Sequence, residues 1–209
     1  NAIAMAAKYG FEAKIGLETK EFGNHIMKVM SGRFIHGENP ALGGFGRHPT
    51  REELVFIKNR AVQFLPFALR TVQLMCELDY PDIPESETLF VCCHPAGGKF
   101  GFVGDEVILS NGEIINVQDY KKVTNEFIVS HSYCKHSLYQ GKPYSVGALA
   151  RINNLGDRLE GEAGRLFKRY FNARWKKNPL LNNAAQALET LYSFERVPQV
   201  IDEALKLPD

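Results

Sequence analysis

The sequence lacks three things. It has no apolar run of the roughly 20 residues that a bilayer span needs. It has almost no net charge, with 25 basic and 24 acidic residues giving +1. It has few cysteines, only Cys76, Cys92, Cys93 and Cys134 in 209 residues. The first lack argues against membrane insertion. The second gives no support for a nucleic-acid or membrane-surface partner, which would favour a basic excess. The nearest basic cluster is Lys168, Arg169, Arg174, Lys176 and Lys177, which a helix would spread around a solvated face. The third excludes a disulfide scaffold, so reduced thiols and a cytoplasmic setting are expected. The opening NAIAMAAKYG has neither the basic start nor the apolar core of a signal peptide. It also has no Met at position 1, so a chain processed or taken from a longer one is expected.

What is present is the composition of a globular protein, 44% hydrophobic and 23% charged. Phe11, Ile15, Phe22, Ile26 and Val29 recur at helical spacing between Ala2 and Met30, with Gly10, Gly16 and Gly23 as weak points. A glycine-punctuated loop follows, SGRFIHGENPALGGFGRHP. Thr50 with Glu53 has the capping-box pattern, and the helix it starts carries Leu54, Ile57, Ala61, Leu65, Ala68, Val72 and Met75 on one side. Pro66 is expected to kink that helix. Thr88 to Cys93, Lys99 to Val103, Glu106 to Leu109 and Glu113 to Val117 look like short strands. Asn111-Gly112 predicts a type I′ hairpin. Asp157 with Glu160 predicts a helix to about Lys177, and another starts near Asn182, with a break or new first turn at Pro198. The class is therefore α+β, mainly helical with a small antiparallel sheet. Helices are expected over 1–78, the sheet over about 88–117, a polar loop over 126–151 and helices over 157–207.

The residues alone complete no active site. His131 and His136 are five apart, not the four that put two ligands on one helical face. Adjacent Cys92 and Cys93 before His94 chelate poorly, because neighbours in a strand point to opposite faces. Cys134 between two histidines resembles a thiol with a nearby base, but an incidental thiol fits as well. The glycines of GENPALGGFG do not make a phosphate-binding loop, which needs Gly-Lys-Ser/Thr opening a helix.

Three segments in series carry a resemblance. Gly32-Arg33-Phe34-Ile35-His36 followed by Gly43-Gly44-Phe45 is the first. Glu126 through Lys135, with His131-Ser132-Tyr133 inside it, is the second, and Pro143 through Arg151, PYSVGALAR, is the third. Asn183 to Glu195 adds a weaker match, a helix ending in an aromatic–glutamate pair. Together they resemble the large subunit of nickel–iron hydrogenases over nearly the whole chain, as an internal piece. Two positions depart from the family's pattern, Gly37 and Ala148, where proline is usual. Both changes are expected to loosen the backbone. The short linkage through Asn111-Gly112 looks more like the compact members that reduce soluble carriers.

The resemblance implies a parent that reversibly oxidises dihydrogen at a nickel–iron centre and passes electrons to iron–sulfur clusters of a small subunit. The family holds its metals with paired Cys-x-x-Cys motifs. This chain has none, nor the arginine-bearing segment that lies over the metals, so no metal ligand carries over and no cofactor is expected in this piece, which alone should be inactive. What carries over is support. His36 and Arg33 would lie on the loop facing the nearest small-subunit cluster, where an imidazole N–H could tune its potential. Glu126, His131 and Lys135 would form a polar network, and Arg151 would satisfy carbonyls or a carboxylate in the interior. The alternatives are a metal-free hydrogenase-like scaffold, related to a respiratory NADH dehydrogenase subunit, and a thiol enzyme built on Cys134. Without its neighbours the piece is expected to self-associate.

Overall fold

The computed structural model describes residues 7–83 and 88–207. The start of the helix expected from Ala2 therefore lies outside the described residues. The chain divides into two compact units, one of 1–71 with 193–209 and the other of 72–192.

The first unit is helical. Helix α1 (Gly10–Ser31) runs unbroken through Gly16 and Gly23, and Gly32 caps it in the left-handed conformation, donating to Lys28 O at 3.0 Å. Strands β1 (Pro40–Ala41) and β2 (Gly44–Phe45) pair in the loop that follows. Helix α2 (Arg51–Glu77) starts with the expected capping box. Glu53 N donates to Thr50 Oγ1 at 3.2 Å and Thr50 N to Glu53 Oε2 at 2.9 Å. Ile57, Ala61, Phe64 and Ala68 of α2 are buried, so Phe64 rather than the expected Leu65 fills the core line. Phe22, Phe64 and Phe194 stack on one another with centroids 5.5, 5.9 and 6.0 Å apart. Each such pair contributes about 0.5–1.5 kcal/mol beyond its buried area.

The second unit holds a four-stranded sheet. Strand β3 (Leu89–His94) pairs antiparallel with β4 (Glu106–Leu109), and β4 with β5 (Ile114–Asn116). The two-residue β6 (Tyr144–Ser145) adds parallel to β3, so the sheet is mixed at one edge. Val91, Leu109 and Ile115 share a face and pack with Val123 and Tyr139. Against the other face lies helix α3 (Ala148–Leu155), whose Asn154 Nδ2 reaches Phe90 O at 3.2 Å and Ile108 O at 3.3 Å. Helices α4 (Gly161–Tyr170) and α5 (Asn182–Ala204) follow.

Several local expectations fail for identifiable reasons. Residues 99–103 form no strand; the chain instead folds tightly round His94, where a Cβ on Gly104 would sit 2.2 Å from the His94 carbonyl oxygen. Of Asn111 and Gly112, only Gly112 has positive φ. Gly112 N donates to Leu109 O and Leu109 N to Glu113 O, which is a type I turn with a glycine bulge. The two-positive-φ turn occurs instead at Gln140-Gly141, closed by paired Tyr139–Lys142 bonds of 2.9 Å. Helix α4 stops at Tyr170 because Asn172 Oδ1 accepts from Arg174 N at 2.9 Å and starts a separate turn. Helix α5 continues through Pro198 without a break.

Candidate functional site

The loop after α1 carries Arg33 and His36. Arg33 Nε donates to His36 O at 2.6 Å, and Arg33 Nη2 pairs with Glu38 at 2.9 Å. His36 has φ 54, a left-handed conformation uncommon for a side chain with a Cβ. Gly37 lies against Ser31, where a Cβ would stand 2.5 Å from Ser31 Cβ. The glycine therefore closes the loop onto α1 rather than loosening it. Arg47 Nη2 bonds both Glu53 oxygens at 2.6 Å. That guanidinium, then the Thr50 amide, holds the Glu53 carboxyl below its usual range. Phe34, Ile35, Leu42 and Phe45 are exposed apolar side chains on the same loop.

The hairpin 125–138 carries the second group. Phe127 and His136 exchange backbone bonds of 2.8 and 2.9 Å, and Asn125 extends the ladder by bonding both polar atoms of Leu138's backbone. Lys135 Nζ reaches Glu126 Oε2 at 3.0 Å, with both side chains more than half exposed. The His131 ring meets that of His136, centroids 5.3 Å apart, rather than the ion pair. A surface pair of this kind contributes at most about 1 kcal/mol. Cys134 is exposed nearby, its amide donating to Ser132 Oγ at 3.0 Å.

Arg151 is held elsewhere in the second unit. Gly147, at φ 92, turns the chain into α3, and Ala148 takes the first helical position, where proline would also fit. One turn on, Arg151 grips Glu189 of α5 with Nε to Oε1 at 2.5 Å and Nη2 to Oε2 at 2.9 Å. Its guanidinium also lies 5.0 Å from the Phe102 ring centre. The Glu189 carboxylate pushes the Arg151 pKa up. Arg151 stands between two open cavities. One of about 250 Å³ is walled by apolar side chains with Cys92, Cys93, Tyr120 and Thr124. The other, of about 450 Å³, is lined by Ser145, Asn182, Gln186 and Glu189.

Sequence reasoning missed a further polar cluster. His94 and Glu106 are cross-strand partners, with Nδ1 to Oε2 at 2.8 Å, and Arg158 Nη2 lies 2.9 Å from His94 Nε2. Arginine only donates, so Nε2 accepts and the Nδ1 hydrogen points to Glu106. The signal available was the pairing of His94 with Glu106 once the β3–β4 register is known. Cys92 is buried and its thiol pKa is raised by that burial.

The fold is that of a hydrogenase large subunit. The structure of an NAD+-reducing [NiFe]-hydrogenase superposes with TM-score 0.80 at 22% identity, over 98% of this chain and 50% of the other. A [NiFeSe] hydrogenase from Desulfovibrio vulgaris Hildenborough gives 0.59 at 19%, over 90% of this chain and 48% of that one. In sequence, the chain is similar to sulfhydrogenase alpha subunits. It is 36% identical over 203 residues to the sulfhydrogenase 1 subunit alpha of Pyrococcus furiosus and 39% identical over 214 residues to that organism's sulfhydrogenase 2 subunit alpha. These alignments cover 97% and 98% of this chain, and it spans about half the length of the relatives, 47% of each. No family model matches.

The chain's own residues do not fit a nickel–iron centre. There is no Cys-x-x-Cys, and among the described residues no group of three or more His, Cys, Asp or Glu side chains could hold a metal ion. Among the described residues no helix is long and apolar enough to cross a membrane.

Proposed function

We propose that this chain forms the central part of the large subunit of a nickel–iron hydrogenase, framing a metal centre whose ligands come from elsewhere in the whole protein. The observation that carries this reading is identity of 36% and 39% to two hydrogenase alpha subunits across almost all of the chain. The parent oxidises dihydrogen reversibly and hands electrons to iron–sulfur clusters of a small subunit, in the cytoplasm.

Within that frame, the loop bearing Arg33 and His36 faces the small subunit. Its exposed Phe34, Ile35, Leu42 and Phe45 support this, since apolar side chains clustered on one loop suit a protein interface. Arg33, bonded to the His36 carbonyl, fixes the direction in which the imidazole is offered. Glu126 with Lys135 steadies the hairpin, and Arg151 with Glu189 ties α3 to α5. All four act as support and none touches a reacting atom.

The test is to read the coding sequence on both sides and to produce the whole protein with its small subunit. Paired Cys-x-x-Cys motifs on both sides and hydrogen-dependent dye reduction are expected. Absence of the paired cysteines would overturn the reading in favour of a metal-free relative.

A further inference from the structure

The loop 32–48 is exposed throughout except at Asn39, which is half-buried. Asn39 ties both limbs of the loop to the end of α1. Its Nδ2 donates to Met30 O at 2.9 Å and to Arg47 O at 2.8 Å, and its Oδ1 accepts from Arg47 N at 2.7 Å. Its backbone adds two more ties, donating to Ser31 O at 3.2 Å and accepting from Gly46 N at 2.9 Å. Met30 and Ser31 lie in the last turn of α1, whose carbonyls have no partner within the helix. Asn39 thus caps α1 from eight and nine residues downstream while closing the loop's neck.

The closed neck bears on His36. A left-handed residue with a Cβ persists only where its surroundings over-determine it. Here the Glu38 amide is pinned to Ser31 O at 2.9 Å, Gly37 is pressed on Ser31, and the His36 carbonyl is taken by Arg33. A proline at position 37 would push the preceding residue towards extended backbone, so the left-handed His36 goes with Gly37.

We propose that Asn39 is the positioning residue of this loop, a latch that holds His36 left-handed and so sets how Arg33 and His36 are presented to an iron–sulfur small subunit. The part concerning the small subunit rests on the function proposed above; the latch itself does not. Asn39 touches no reacting atom and works through the backbone of 31–38.

The experiment compares Asn39→Ala with Val29→Ala, which opens the core of the same unit but keeps every Asn39 hydrogen bond and the Val29 carbonyl that Arg47 Nη1 reaches at 3.4 Å. In the full chain, nuclear magnetic resonance reads the His36 amide–Hα coupling and carbon shifts, which report φ, and amide exchange at Glu38 and Arg47. With Asn39→Ala the His36 signals are expected to leave left-handed values and both amides to exchange at least tenfold faster. Affinity for the purified, cluster-loaded small subunit is expected to fall at least fivefold. Val29→Ala is expected to lower stability and leave the His36 signals in place. Unchanged His36 signals in Asn39→Ala would overturn the latch. Altered signals with unchanged affinity would overturn its role in presentation. A wild-type chain that binds no small subunit would count against the proposed function, while the His36 signals still decide the latch.

Discussion

Replacing Glu189 by leucine tests the Arg151–Glu189 pair at its most exposed weakness, the charge left behind. The two side chains are 24% and 10% accessible and are joined by two charge-assisted bonds. Breaking a buried pair by removing one partner typically costs about 3–5 kcal/mol, because the remaining charge is stranded. Arg151 is not fully stranded, since it faces an open cavity of about 450 Å³ and lies 5.0 Å from the Phe102 ring centre. Water entry and the ring recover part of the loss, so Glu189→Leu should cost about 2–3 kcal/mol. For a chain of this size that is a fall of about 5–10 °C in Tm. Arg151→Met should cost as much, since it takes the guanidinium from the more buried carboxylate. The double variant should return close to wild type, because an apolar pair of similar volume is often neutral or better. Urea unfolding of all four proteins closes the cycle. Single losses below about 1 kcal/mol, or singles that simply add in the double, would refute the reasoning.

Thr50→Ala should lower stability by about 1 kcal/mol in thermal unfolding, since it removes the hydroxyl that caps α2. The Glu53 half of the box has a pH signature. Its carboxyl is held below the usual value in the fold, so its contribution is present above the unfolded pKa of 4.5 and is lost as pH falls through the lower folded value. Glu53→Gln should therefore flatten the acid limb of a stability–pH curve, and an unchanged limb would count against it. Gly16→Ala and Gly23→Ala should stabilise α1 by about 1 kcal/mol each, because an added methyl meets nothing within 4 Å there. Gly104→Ala should instead destabilise by about 1–3 kcal/mol, since its Cβ would press on the His94 backbone. Alkylation followed by mass spectrometry should mark the exposed Cys134 first. The half-buried Cys76, whose thiol burial pushes to about 12, should be marked more slowly, and the buried Cys92 only once the chain unfolds.

Much of the fold was legible because it depends on short-range chemistry. The hydroxyl and carboxylate of Thr50 and Glu53 dictate a helix start wherever the chain goes next. The short apolar run from Thr88 to Cys93 reads as a strand, and Leu89–His94 forms one. What failed depends on partners distant in sequence. Residues 99–103 read as a strand until the close approach of Gly104 to His94 is known. Asn111 and Gly141 show the same limit in turns. Both positions follow turn preferences, yet the two-positive-φ geometry falls on Gln140, which no propensity selects, because the paired bonds between Tyr139 and Lys142 impose it.

The site divides along the same line. Glu126 and Lys135 are nine residues apart and meet because the 125–138 hairpin brings its limbs together. Glu189, the partner of Arg151, lies 38 residues away on another helix, and the sequence left open whether carbonyls or a carboxylate would meet it. His36 was visible as a residue, but its backbone conformation was not. That conformation goes with Gly37, whose apparent slackness in the sequence becomes a contact with Ser31 in the fold. A departure from a family's pattern can therefore tighten a loop that it seems to loosen. If Gly37→Pro drives His36 to extended backbone and loosens the Glu38 bond to Ser31, the histidine's presentation is specific to chains with glycine here. If instead His36 keeps its left-handed φ, the neck held by Asn39 is by itself sufficient to impose it.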